Sequence, residues 1–228
     1  MRNFEDALNL VTFLSKELTK LEKTRKEILN SNLLAADKDE RVGKVVEEIR
    51  KKTDERRQVL QDLVRFPPRH IQYAQQVEQF FKVAPWEKSV FIMTKYPDGK
   101  DPKLDAQLQR VIDAVRDAVT KSGFSPRLAS ENKYHPNLWE NVEIYLLSCA
   151  RGIAIVDERY KKDLNPNVAM EWGWMRAMGK PILYLVEKEA EIIPADVIGL
   201  IKDRFDWNDP EPYIEKAVSD DLNRPFLT

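Results

Sequence analysis

Residues 1 to about 65 repeat apolar side chains at helical spacing. Phe4, Leu8, Val11, Leu14, Leu18, Leu21 and Ile28 form one series, and Val42, Val45, Ile49, Val59, Leu60 and Leu63 a second. The steps mix threes and fours, as along the seam of a coiled coil. Between the two series lies "NSNLLAADKD", rich in turn-favouring Asn, Ser and Asp. One glycine, Gly43, and no proline interrupt the stretch. The pattern predicts two long amphipathic helices folded into an antiparallel helical hairpin. Such a hairpin buries little by itself, so residues 1–65 are expected to pack on another copy of the chain, giving a homo-oligomer, or on a partner protein or the rest of the chain. "RFPPRH" then breaks the periodicity, and "IQYAQQVEQFFKVAPW" predicts a connecting helix ending near Pro85. Residues 1–85 are thus read as one region.

Residues 86–228 follow a different pattern. "SVFIMTKY", "SPRLAS", "RGIAIVDE", "KPILYLVEK" and "DRFDW" are short apolar runs that predict strands. "DAQLQRVIDAVRDAVTKSG", "NLWENVEIYLLSCA", "PNVAMEWGWMRAMG", "PADVIGL" and "PEPYIEKAVSDDL" predict helices between and after them. Gly123 and Gly179 stand where helix-closing glycines belong, and Pro166 or Asn167 where a helix starts. Strands alternating with helices predict an α/β domain with an open, five-stranded, largely parallel sheet covered on both faces. The expected strand order is flavodoxin-like, 2-1-3-4-5.

Composition narrows the functional classes. The chain has 228 residues, 43% of them apolar and 33% charged, which suits one ordinary domain with an appendage or two small domains. A net charge of −1 gives no bulk attraction for nucleic acid or an anionic membrane surface. The single cysteine, Cys149, excludes an intrachain disulfide and reads as a buried small hydrophobe in "YLLSCARG". No Cys/His cluster at zinc spacing points to a metal. The N-terminus carries acids within its apolar stretch and lacks a small-residue cleavage site. No apolar run approaches the roughly 20 residues of a membrane span. A cytoplasmic location is expected.

In open parallel sheets, ligands bind outside the carboxyl ends of the strands, at the switch point between the first and third. That rule selects three loops: "TKYPDGKDPKLD", "SENKYHPN" and "DERYKKDLNPN". No GxGxxG and no GxxxxGK[ST] stands in the chain, so neither a standard dinucleotide fold nor a P-loop is supported. Past the third loop, Glu171 sits inside an apolar and aromatic helical pattern, flanked by Asn167, Val168, Trp174 and Met175 at helical spacing. Burial would raise its pKa, and the helix N-terminus would lower it. By spacing alone it is equally an ordinary acid near a helix start. Trp172 and Trp174 suit packing, Trp174 being better placed to touch a base. Gly173, costing about 1 kcal/mol in a helix interior, suggests close packing there.

"IAIVDERYKKDLNPNVAMEWGWMRAMGKPILYLVE" resembles a segment shared by nucleoside 2-deoxyribosyltransferase-like and Toll/interleukin-1-receptor (TIR)-like nucleotide-binding proteins. Asp157, Asn165, Pro166, Asn167, Glu171, Gly173, Gly179, Lys180 and Pro181 carry the likeness, which spans roughly residues 89–190. The resemblance implies that Glu171 acts at an N-glycosidic bond. It would be a nucleophile toward the sugar in a deoxyribosyltransferase, or the carboxylate that cleaves ribose from nicotinamide in a TIR-like NAD glycohydrolase, a role compatible with defence signalling. A third reading is a non-catalytic nucleotide sensor or scaffold. NAD or a related nucleotide is then the substrate or ligand, and no further cofactor is required. Lys95, Tyr96, Asp105, Asn132, His135, Asn165, Asn167 and Trp174 are the candidate substrate contacts. Asp157 would either organise its loop or meet a ribose hydroxyl. The first loop departs from both families' patterns, and Trp172 replaces the usual leucine between Glu171 and Gly173.

Overall fold

A computed structural model describes residues 4–64, 68–160, 165–191 and 203–224. The chain divides into two compact units, residues 1–79 and 80–228.

In the first unit, α1 (Phe4–Leu29) and α2 (Ala35–Val64) pack on each other. Ala7 and Val11 meet Val59, Leu60 and Ala74 in a small core. Farther along, Arg56 donates to the Ser15 hydroxyl at 3.2 Å, and that hydroxyl donates to Glu78 at 2.7 Å. Lys52 stands 3.9 Å from Glu17 and 5.9 Å over the Phe13 ring. The turn is tighter than "NSNLLAADKD" suggested. Helix α2 already starts at Ala35, because the alanines and charged residues after Leu34 are ready helix formers. A short 3₁₀ segment, Pro68–Tyr73, precedes α3 (Ala74–Phe81). Helix α3 stops short of Pro85, with the Val83 amide closing a tighter turn onto the Phe80 carbonyl.

The second unit is a five-stranded, all-parallel sheet in the order β2-β1-β3-β4-β5. The strands are β1 (Ser89–Met93), β2 (Ser125–Arg127), β3 (Arg151–Val156), β4 (Ile182–Glu187) and β5 (Asp203–Phe205). The helices are α4 (Pro102–Lys121), α5 (Leu138–Ser148), α6 (Pro166–Ala177) and α7 (Glu211–Leu222). The expected helix "PADVIGL" lies outside the described residues. Among those, no helix is long and apolar enough to cross a membrane.

Strand alternation sorts the two faces. Val90, Ile92, Ile153, Ile155, Leu183 and Leu185 point into one core with Leu108, Val111, Ile112 and Val115 of α4 and Ile214, Ala217 and Val218 of α7. Helices α5 and α6 cover the other face. There, Phe91 packs against Tyr145, and Trp172 meets Tyr184 edge-on at 5.3 Å. Helix α6 comes closest at Gly152. A Cβ on that residue would stand 2.7 Å from both Met175 Sδ and Met93 Cε, so the glycine sets how near the helix can lie.

The helix starts at the carboxyl edge are capped as their sequences direct. The Asp101 side chain accepts from the Lys103 and Leu104 amides for α4, Asn137 from Trp139 and Glu140 for α5, and Asn165 from Asn167 for α6. Pro102 and Pro166 occupy first helical positions, where a missing N–H costs nothing. Gly123 and Gly179 close α4 and α6 with φ of 77° and 71°, which side-chain-bearing residues rarely adopt. Lys180 follows at once, and its ammonium donates to the Leu146, Leu147 and Cys149 carbonyls. It caps the carboxyl end of α5, where a cation meets the helix dipole. Burial pulls its pKa down to about 7, against these carbonyls, which hold the charge. Cys149 is fully buried, and burial pushes its thiol up to about 12, so it is inert packing.

Candidate active site

Glu171 stands in the second turn of α6, on the flank between the sheet-facing residues Val168, Trp172 and Met175 and the exposed residues Met170 and Gly173. It is partly buried, and no hydrogen bond or ion pair reaches its carboxylate among the described residues. Desolvation alone raises its pKa to about 8. The opposing pull of the helix N-terminus does not prevail here. The Tyr96 phenol, from the segment after β1, lies close enough for its own ionisation to be opposed by the charge of Glu171. Tyr96 is 41% exposed. Burial raises the Tyr96 pKa, and Ser130, close to its hydroxyl, works against that rise. Tyr96, Ser130 and Glu171 therefore bring the β1 loop, the β2 loop and α6 to one place.

Lys95 turns inward. It is 5% exposed, donates to the Asp157 main-chain carbonyl at 2.6 Å and stands 3.5 Å from the Asp157 carboxylate. The Asp157 side chain also accepts from the Tyr160 amide at 2.8 Å. Burial raises the Asp157 pKa in spite of Lys95. In this structure both residues organise the junction between the β1 and β3 loops.

Asp105 ties the same loops together from outside. Its carboxylate accepts from the Asp98 and Gly99 amides at 3.2 and 3.0 Å and from the Tyr160 hydroxyl at 2.6 Å. The Tyr160 oxygen in turn accepts from the Asp98 amide at 2.6 Å. Asp105 faces the loop rather than Glu171.

Asn132 and His135 lie in the β2–α5 loop, which is wound around Asn141 of α5. The Asn141 side chain, 3% exposed, accepts from the Tyr134 and His135 amides and donates to the Ala129 and Asn132 carbonyls. The Asn132 side chain is exposed, while the residue's main-chain N–H donates to the Tyr145 hydroxyl at 3.2 Å. The His135 imidazole is 2.7 Å from Glu140. Asn165 is spent on capping α6, and Asn167 is exposed at the start of that helix.

Trp174 is only partly buried and meets Trp139 of α5 at 5.8 Å between ring centroids. Gly173 does not provide the close packing its position suggested. Nothing described lies within 4 Å of where its Cβ would be, because it faces outward. The close approach falls at Gly152 instead.

Sequence reasoning passed over Ser130, Trp139, Asn141 and Glu187. The last closes β4 at 1% exposure, with its pKa raised by burial and the Arg159 guanidinium 3.6 Å away. Among the described residues, no group of acids, histidines and cysteines could hold a metal ion. Comparison with protein-family models and with curated proteins finds no match to this chain.

Proposed function

We propose that residues 86–228 form a TIR-like domain of flavodoxin-like type that cleaves the N-glycosidic bond of NAD or a related nucleotide, with Glu171 acting at the sugar. The observation that carries this reading is the lone Glu171 carboxylate. It is desolvated, uncompensated by any described cation, and set beside the β1 and β2 loops at the carboxyl edge of a parallel sheet. Ordinary surface acids are solvated or paired. One held neutral by its surroundings is poised to take up a positive charge.

The chemistry follows from charge. In NAD the bond from the ribose anomeric carbon to the nicotinamide nitrogen joins the sugar to a cationic base. As it breaks, both electrons go to that nitrogen, the base leaves neutral, and positive charge passes to the sugar. A carboxylate against the sugar stabilises that charge, or forms an ester with the anomeric carbon that water then hydrolyses, releasing a proton. No general acid is needed for a leaving group that already carries its charge. A pKa near 8 leaves Glu171 largely protonated in the empty site at neutral pH. A bound cation supplies the missing counter-charge and draws the proton off. In this reading Tyr96 and Ser130, beside Glu171, are the groups that would meet the sugar hydroxyls.

In this reading the protein is cytoplasmic, and residues 1–65 join copies of the chain or a partner protein through the apolar seam of α1 and α2.

The test is nicotinamide release from NAD, followed by chromatography, for the purified chain and a Glu171→Gln variant. Release by the first alone is expected. Base exchange between deoxynucleosides would make the protein a deoxyribosyltransferase instead. Nucleotide binding without turnover, even after forced assembly, would make it a sensor or scaffold.

A further inference from the structure

The two indoles at the α5–α6 junction have no explanation in the core. Trp172 has one: it is 8% exposed and packs edge-on against Tyr184. Trp139 and Trp174 are only partly buried, yet lie 5.8 Å apart with their planes inclined by 36°. Trp174 is three residues from Glu171, so the two side chains are neighbours on one flank of α6. Trp139 comes from the first turn of α5, where the cap on Asn137 fixes its main chain. Exposed apolar side chains continue the surface beside Glu171: Met170, its chain neighbour, at 48%, and Tyr96, next to it in space, at 41%. Aromatic and apolar side chains thus lie beside an acid that no described residue pairs.

That combination is complementary to one kind of ligand surface. The face of an indole carries negative potential and attracts a cation, while its area attracts any flat ring. A neutral ring gains only the second effect. A flat cation gains both, and also supplies the counter-charge that Glu171 lacks. We propose that Trp139 is a specificity-determining residue of this site: held against Trp174, it forms the wall on which the leaving base stacks, and with Glu171 it selects a positively charged ring over a neutral ring of the same shape. This rests on the reading of Glu171 given above. It adds a residue from α5, outside the segment that carries the family resemblance in its strongest form.

The base subsite is read in isolation with two probes that lack sugar, phosphate and a scissile bond: 1-methylnicotinamide, a cation, and nicotinamide, its neutral counterpart. Their affinities for the full chain are measured by ligand-observed magnetic resonance and tryptophan fluorescence. The cation should bind at least about tenfold more tightly, roughly what a desolvated cation–π contact supplies. Trp139→Ala should lose most of that affinity, Trp139→Phe should restore much of it, and Leu138→Ser should change little. Glu171→Gln should reduce the preference for the cation while leaving nicotinamide binding nearly unchanged. Unaltered thermal midpoints for Trp139→Phe and Leu138→Ser keep the comparison free of folding effects.

Equal affinity for the two probes, no binding of either, or full cation selection in Trp139→Ala would overturn the proposal. The two levels of inference separate cleanly. If wild type releases nicotinamide from NAD and Glu171→Gln does not, while Trp139→Ala keeps the wild-type kcat/KM, the role of Trp139 falls and the reading of Glu171 stands. If nothing is turned over but cation selection depends on Trp139, the subsite stands and the proposed reaction falls.

Discussion

The Lys95 ammonium donates to the Asp157 carbonyl at 2.6 Å and lies 3.5 Å from the carboxylate of the same residue, joining the ends of two neighbouring strands through a buried ion pair. A buried pair contributes little net stability when intact, but removing one partner leaves a desolvated charge. Lys95→Met should therefore destabilise the protein by about 3 kcal/mol at neutral pH. Near pH 4 the loss should shrink, because Asp157, whose pKa burial already raises, is then protonated without its partner. Urea unfolding at the two pH values measures the difference. An equal loss at both would mean that Lys95 matters through packing alone.

Glu171 gives a pH signature of the opposite sense from an ordinary acid. Its folded pKa of about 8 lies above the ordinary carboxyl value of 4.5, so the folded state holds a proton that the unfolded chain releases. Stability is therefore lost progressively as pH rises from the unfolded value through about 8, and the deficit is constant above that. Glu171→Gln, similar in shape and never charged, should match wild type near pH 4. At pH 9 it should exceed wild type by several kcal/mol, on the order of 2–4. Coincident stability curves would show that the carboxylate is solvated and remove the basis for its proposed role.

Two glycines on the α6 face of the sheet should respond to alanine with opposite signs. A Cβ at Gly152 meets Met175 and Met93, both fully buried, and these must shift to admit it. Both contacts are with the tips of flexible but buried methionines, so the overpacking should cost about 1 kcal/mol, the low end of the usual range. At Gly173 the Cβ enters open space on a regular helix, so Gly173→Ala should stabilise by about 0.5–1 kcal/mol. Thermal unfolding of the two single variants decides the matter. Destabilisation by Gly173→Ala would place another surface against that position.

Lys180 caps α5 through three carbonyls. Lys180→Met keeps the apolar stem and removes the donor. It should cost about 2–3 kcal/mol, the penalty for unsatisfied buried carbonyls. Amide hydrogen exchange should rise most at the carboxyl end of α5. Protection unchanged there would assign the stability of that end to its apolar contacts.

The elements most legible in sequence were those written locally. Apolar runs set the strands, and the start of α6 was readable at Pro166, whereas α4 begins three residues before the expected Asp105, on the Asp101 cap. The strand order β2-β1-β3-β4-β5 is the flavodoxin-like one expected, although alternation of strands and helices by itself allows other orders. Glu171 could be singled out because a carboxylate interrupts an apolar helix. Contacts distant in sequence were not readable. Trp139 and Trp174 are far apart in the chain, and each looks like ordinary helix packing until α5 and α6 lie side by side. Lys180 reads as a surface charge until the end of α5 is seen beside it. Gly173 and Gly152 show the same limit: a glycine announces a missing side chain, but not which surface occupies the space.

The Tyr160 hydroxyl, bonded to both the Asp105 carboxylate and the Asp98 amide, holds the loop after β1 and the first residues past β3 together. Their ordering entropy is thus settled when the chain folds, not at each encounter with a ligand. If a nucleotide binds at Glu171 as proposed, it meets a preset surface on the β1 side, so association should be limited by diffusion and orientation rather than by closure of that loop. Its rate should then rise in proportion to ligand concentration without reaching a plateau.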